Sequence, residues 1–125
     1  MADYTAARID ELPQLWEGMG KLVRKGLGLS AFGANVLDLP ADYTTGAHDE
    51  ATSRQEELYV ALRGSGWVLV GRSDASEEVL ELTPEHVVRV GPDERRRLRS
   101  GADGCRVLVV GGVAGQAYAP ADWSS

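Results

Sequence analysis

Few side chains in this sequence have the chemistry to make or break a bond, and each can be weighed by its neighbours. Cys105 is the single cysteine, so no internal disulfide can form. It lies in the apolar stretch 104–110 with no base beside it. A thiol nucleophile needs such a base, and a cysteine in this setting behaves as a small buried hydrophobe. The two histidines, His48 and His86, are not spaced as a zinc motif on a helix. His86 follows Thr83-Pro84-Glu85 and reads as a solvated turn residue. Glu57 is different. In Glu57-Leu58-Tyr59-Val60-Ala61-Leu62, strand alternation puts Glu57, Tyr59 and Ala61 on one face and Leu58, Val60 and Leu62 on the other. A carboxylate sharing a face with Tyr and Ala can point into a barrel. Burial there would raise its pKa, which suits a general acid or base. There is no Cys-x-x-Cys and no nucleophile elbow, and the glycine pairs 64/66 and 111/112 lack the Lys-Ser/Thr that would complete a phosphate loop.

The elements that must position these groups are short and β-prone. Runs at 29–39, 57–62, 66–71, 77–82, 87–90 and 105–110 are separated by turn signals at 40–48, 63–66, 72–76, 83–85, 91–93 and 100–104. Closely spaced short strands with Gly or Pro turns indicate a sandwich or barrel, and without long helical patterns between them parallel βαβ units are not expected. The run 106–110 is apolar on both faces and reads as a central strand. The first 28 residues form an arm. Ile9, Leu12, Leu15, Trp16 and Met19 recur at roughly helical spacing, but Pro13 and the glycines at 18, 20, 26 and 28 limit this to about one turn. The arm is expected to pack Trp16 against the body. Residues 29–112 form the barrel, and the tail 113–125, with Tyr118 and Trp123, packs back on it.

The chain has 125 residues, 43% of them hydrophobic and 26% charged, which suits one globular domain. No apolar run reaches the length of a membrane span, and the first residues lack the basic and apolar segments of a secretory leader. The cytoplasm is the expected location. A net charge of −6 argues against nucleic acid or an anionic membrane as partner. The one basic run, Arg95-Arg96-Arg97 with Arg99, reads as a solvated or paired strand face.

One stretch carries a resemblance. Gly46-Ala47-His48, followed by Gln55-Glu56-Glu57-Leu58-Tyr59-Val60-Ala61-Leu62-Arg63-Gly64-Ser65-Gly66, resembles the first motif of cupins, with Glu57 and Gly64 at the motif's glutamate-to-glycine spacing. Val87-Val88-Arg89-Val90-Gly91-Pro92 resembles the entry to the second motif. The likeness spans roughly residues 30–112. It extends to small actinobacterial-type cupins that bear a His-Asp-Glu loop. It implies an all-β, cupin-type double-stranded β-helix (a jelly-roll barrel), and a homodimer joined through barrel edges, which would cover exposed strands.

The resemblance also implies where a site would lie. Metal-bearing cupins take two histidines and a glutamate from the first motif and a histidine from the second. Here those places fall on His48, Glu50, Glu57 and Arg97. The loop from Glu50 to Glu57 is longer than in the family, and an arginine does not ligate metal. The remaining donors suit one divalent transition metal such as iron, manganese or zinc. Two functions follow. One is a pocket that binds a small molecule, with a degenerate metal site. In it, Arg97 pairs with Glu57 or Glu50 in the barrel mouth or receives a carboxylate or carbonyl, and Tyr59 lines the wall. The other is a metal-dependent oxygenase, isomerase or lyase using His48, Glu50 and Glu57. A metal-free variant makes Glu57 the general acid or base and Arg97 the stabiliser of an enolate-like charge. Burial would raise the Glu57 pKa and Arg97 would lower it, and the sequence does not say which wins.

Overall fold

A computed structural model describes residues 2–124. Seven strands and one short helix follow in order: β1 (Gln14–Leu15), β2 (Gly20–Leu22), α1 (Val23–Leu27), β3 (Gly33–Leu39), β4 (Glu56–Val70), β5 (Glu78–Leu82), β6 (Val87–Val90) and β7 (Arg96–Gly112). All pairings are antiparallel, in the order β1-β2-β3-β7-β4-β5, with β6 also on β4. This is the all-β barrel that the strand pattern predicts.

The two central strands are longer than the sequence suggests. Residues 63–66 and 100–104, expected as turns, lie inside β4 and β7. The reason is that their glycines bend a strand instead of ending it. Gly64 and Gly104 sit opposite each other's neighbours in the ladder at φ of 74° and 76°, a left-handed region that glycine enters without a steric cost. A Cβ at Gly64 would collide with the carbonyl oxygen of Gly104. The register slips at Ala61/Arg63 and Gly64/Gly66, as bulges that bend a strand do.

The bend folds one ladder into two layers. The first half of β4 lies between β6 and the second half of β7, which continues into β3. The second half of β4 lies between β5 and the first half of β7. Between the layers sits the core, including Leu39, Tyr59, Val68, Leu82, Val90, Leu98 and Val107. Alternation puts Glu57, Tyr59 and Ala61 on the inner face, and Leu58 and Leu62 are exposed.

The arm adds β1 and β2 to the sheet edge and α1 against β3. The single turn expected in the arm is a 3-10 turn at Ile9–Glu11, and beyond Pro13 the backbone pairs as a hairpin. Arg106 ties the arm down through Asp10 at 2.5 Å and also holds Asp38 of β3 at 2.6 Å, which Lys21 of the arm joins at 2.8 Å. Trp16 does not enter the core. It remains 54% exposed, lies over Gly20 and meets the tail's Trp123 with ring centroids 5.8 Å apart. The tail also lays the Tyr118 hydroxyl over Gly33, where a side chain would clash.

Candidate functional site

A cavity of about 880 Å³ opens between the layers. Its mouth carries Trp16, Tyr118 and Trp123, and its polar end holds His48, Glu50, Glu57, Tyr59 and Arg96. Two adjacent strands and one loop bring the polar groups together. β4 supplies Glu57 and Tyr59 on its inner face, and Tyr59 donates a 2.8 Å hydrogen bond to Glu57 Oε1. β7 supplies Arg96, whose side chain is 0% exposed. Its Nε donates to the Tyr59 oxygen at 3.2 Å and its Nη1 to the Glu94 carbonyl at 2.7 Å. Its Nη2 lies 3.3 Å from Glu57 Oε1 and makes no hydrogen bond.

The loop 44–50 docks on the first half of β7 like a short extra strand. Thr45 N donates to Leu98 O at 2.9 Å, and the Thr45 hydroxyl accepts from Leu98 N at 2.9 Å. His48 and Arg96 exchange both backbone hydrogen bonds, at 2.9 and 2.8 Å. Glu50 N is held by the Pro92 carbonyl. The result puts His48 Nε2 3.1 Å from Glu50 Oε2 and 3.9 Å from Glu57 Oε1. The extra length between Glu50 and Glu57 is taken up by a turn at 51–53, so it does not separate the two carboxylates from the histidine.

The competition over the Glu57 pKa has an outcome here. Burial pushes it up, but the neighbouring His48 and Tyr59 and the Arg96 charge outweigh this and hold the carboxyl below its ordinary value. Glu57 is therefore a carboxylate at neutral pH, an acceptor or base and not an acid. His48 is shifted upward, chiefly by the Glu57 carboxylate, against burial and with help from Glu50. Burial drives the Tyr59 hydroxyl far up, so it stays a donor.

Arg97 requires a correction. It borders the cavity, but its guanidinium turns to Glu77, with both hydrogen bonds at 2.7 Å, and reaches neither Glu57 nor Glu50. The inward arginine is Arg96. One residue along a strand reverses the face, and Arg96, Leu98 and Ser100 are buried where Arg97 and Arg99 are not. In a run of four arginines hydrophobic alternation is nearly silent. Leu98 is the one residue that marks the phase, and it points to Arg96. His86 stays in the turn before β6, 2.7 Å from Thr83 Oγ1 and 3.1 Å from Glu81. Cys105 is buried, and burial pushes its thiol pKa up, which leaves it inert.

No protein-family model and no curated protein matches the chain by sequence. Solved structures do match. A cupin protein from Bacteroides fragilis superposes with a TM-score of 0.68 over 97% of this chain and 93% of its own, at 20% identity. The chain has the cupin fold. An RmlC-like cupin from Desulfovibrio desulfuricans matches at 0.66, over 88% of this chain and 97% of its own, at 15% identity. An oxalate decarboxylase variant from Bacillus subtilis matches at 0.62 and 11% identity, over 78% of this chain and 26% of its own. At these identities the shared property is the fold, and one fold hosts many chemistries.

The cupin fold raises the question of a metal. His48, Glu50 and Glu57 each offer a ligand atom within 4.8 Å of the others, a spacing that one ion can bridge. Charge opposes it. Glu57 Oε1 is already shared by the Tyr59 hydroxyl and the Arg96 guanidinium, which puts a permanent cation beside one of the three donors. The three side chains could hold a metal ion, and the Arg96 charge beside Glu57 weighs against one.

Proposed function

We propose that this cupin binds a small organic molecule in the cavity beneath the 44–50 loop. The observation that carries this reading is the polar end of the cavity. An ionised Glu57, a protonated Tyr59 donor and a half-exposed His48 converge there, at the base of an aromatic mouth. A mostly apolar pocket with a few convergent polar groups is the usual form of a ligand site. Small carbonyl and hydroxy compounds suit it. Their donors meet Glu57, their acceptors meet His48, and rings or chains meet Trp16 and Tyr118. If turnover occurs, Glu57 is the base, and the charge-stabilising role assigned by sequence to Arg97 passes to Arg96.

A thermal-shift screen of carbonyl and hydroxy-acid compounds tests the reading. A compound at about one hundred times its Kd adds about 2.7 kcal/mol of stability. That gain should vanish in Glu57→Ala. A panel that shifts the wild type and this variant equally places binding elsewhere. The alternative, a metal-dependent cupin enzyme using His48, Glu50 and Glu57, has the spacing of three donors in its favour and the Arg96 charge against it.

A homodimer is part of the proposal. Leu58, Leu62 and Val87, the last 67% exposed, leave apolar side chains uncovered on β4 and β6, and a second copy would cover them. Light scattering that gives a monomer mass at micromolar concentration would contradict it. Among the described residues no helix is long and apolar enough to cross a membrane. The free, buried Cys105 suits the reducing cytoplasm we propose as its location.

A further inference from the structure

We propose that Arg96 is the resident cation of this pocket and that its guanidinium is what keeps a divalent metal out. The inference rests on the proposed site in that it concerns the same pocket, but it does not require that an organic molecule fill it.

Three observations carry it. Arg96 is completely buried, and its Nη2 has the Glu57 carboxylate 3.3 Å away but no hydrogen bond. A buried cation without a counter-charge is strongly unfavourable, so Glu57 is committed to it. Arg96 also cannot swing aside. Nε is on Tyr59, Nη1 is on the Glu94 carbonyl, and the backbone is clamped to His48 on both sides. Finally, a guanidinium does not lose its proton at any pH where the protein is folded. An ion bridging His48, Glu50 and Glu57 would therefore share one carboxylate with a fixed positive charge that can neither move nor neutralise. Take the guanidinium away, and the same three side chains become an uncompensated donor set of one imidazole and two carboxylates, which suits first-row divalent metals.

The test is a cobalt(II) titration of the chelator-treated protein, followed by the visible absorption of the bound ion and by elemental analysis after desalting. Wild type should give no protein-bound cobalt band and retain no stoichiometric metal. Arg96→Met removes the charge at similar length. Arg96→His adds a donor on the strand of the second motif. Both should bind one equivalent, about ten- to a hundredfold more tightly than wild type, and a further His48→Ala change should abolish the gain. Circular dichroism and melting establish that each variant is folded. One equivalent of cobalt on the wild type overturns the proposal whether or not the variants fold. So does a folded Arg96→Met and Arg96→His pair that binds no better than wild type. A wild type that rejects cobalt while no compound shifts its melting keeps this inference and removes the ligand-binding reading. A wild type that takes cobalt, yet in its metal-free form still responds to an organic ligand, does the reverse.

Discussion

Arg96 and Arg97 are adjacent on one strand and have been given opposite tasks. Arg97 meets Glu77 with two parallel 2.7 Å hydrogen bonds, the planar fork-to-carboxylate match that guanidinium favours. Asp74 lies 3.5 Å away. Arg106 does the same with Asp38, at 2.6 and 3.0 Å. These pairs are complete. Glu77 ties the segment before β5 to β7, and Asp38 ties β3 to β7. The Arg96–Glu57 pair is deeper and incomplete. It has one contact at 3.3 Å, no hydrogen bond from Nη2, and a carboxylate divided among Tyr59, His48 and the guanidinium. The difference teaches that a satisfied ion pair is scaffold, whereas a buried pair left partly open to a cavity is where a ligand can still change the balance.

The comparison can be broken at its deep end first. Glu57→Gln leaves Arg96 buried without its counter-charge, and the loss of unfolding free energy should be about 3 kcal/mol or more, read by urea denaturation. A loss below about 1 kcal/mol, within the range of an exposed pair, would mean that Arg96 does not depend on Glu57. Tyr59→Phe removes both the donor to Glu57 and the acceptor of Arg96 Nε. Its expected cost is smaller, about 1–3 kcal/mol, and it should weaken any ligand whose binding Glu57→Ala abolishes. An unchanged ligand response would confine Tyr59 to the core.

The complete pairs should behave as scaffold. Asp38 is pushed up by burial, but Arg106 and Lys21 outweigh that and hold its pKa below the ordinary value. A depressed carboxyl stabilises the fold above its unfolded pKa of about 3.9 and loses that contribution as pH falls through the folded value. Acid unfolding of Asp38→Asn should therefore be less steep below about pH 4 than that of wild type, with ligand binding at neutral pH unaltered. An identical acid limb would show that Asp38 is not engaged in solution. The smallest effect belongs to Glu77→Gln, which should lower the melting temperature slightly and leave every ligand-dependent shift intact. A lost shift would move the working arginine back to Arg97.

The fold was legible because its signals are local. Period-two runs, turn residues and the phrase from Glu57 to Gly66 each report on their own strand. What misled was glycine. Gly64 and Gly104 look like turn residues, yet in the folded chain they lie in close approach across one ladder, Gly64 opposite Cys105, and bend it, a fact that depends on two segments about forty residues apart in sequence. The site was legible in part. Glu57 and Tyr59 follow from alternation, and the His48–Glu50 loop from the motif. Arg96 did not follow, because charged residues on both faces of 95–99 erase the hydrophobic contrast that fixes a strand's phase. The arm was legible as far as its one turn. Its pairing at the sheet edge, where Lys21 meets Asp38, depends on β3 and leaves no local signal.

The most direct test of the account is elemental analysis by plasma mass spectrometry on protein purified without chelator or affinity metal. The account predicts no transition metal near one equivalent per chain, with Arg96 holding the charge that an ion would otherwise supply. Iron, manganese, nickel or zinc near one equivalent would contradict it and would make His48, Glu50 and Glu57 a metal centre in spite of Arg96.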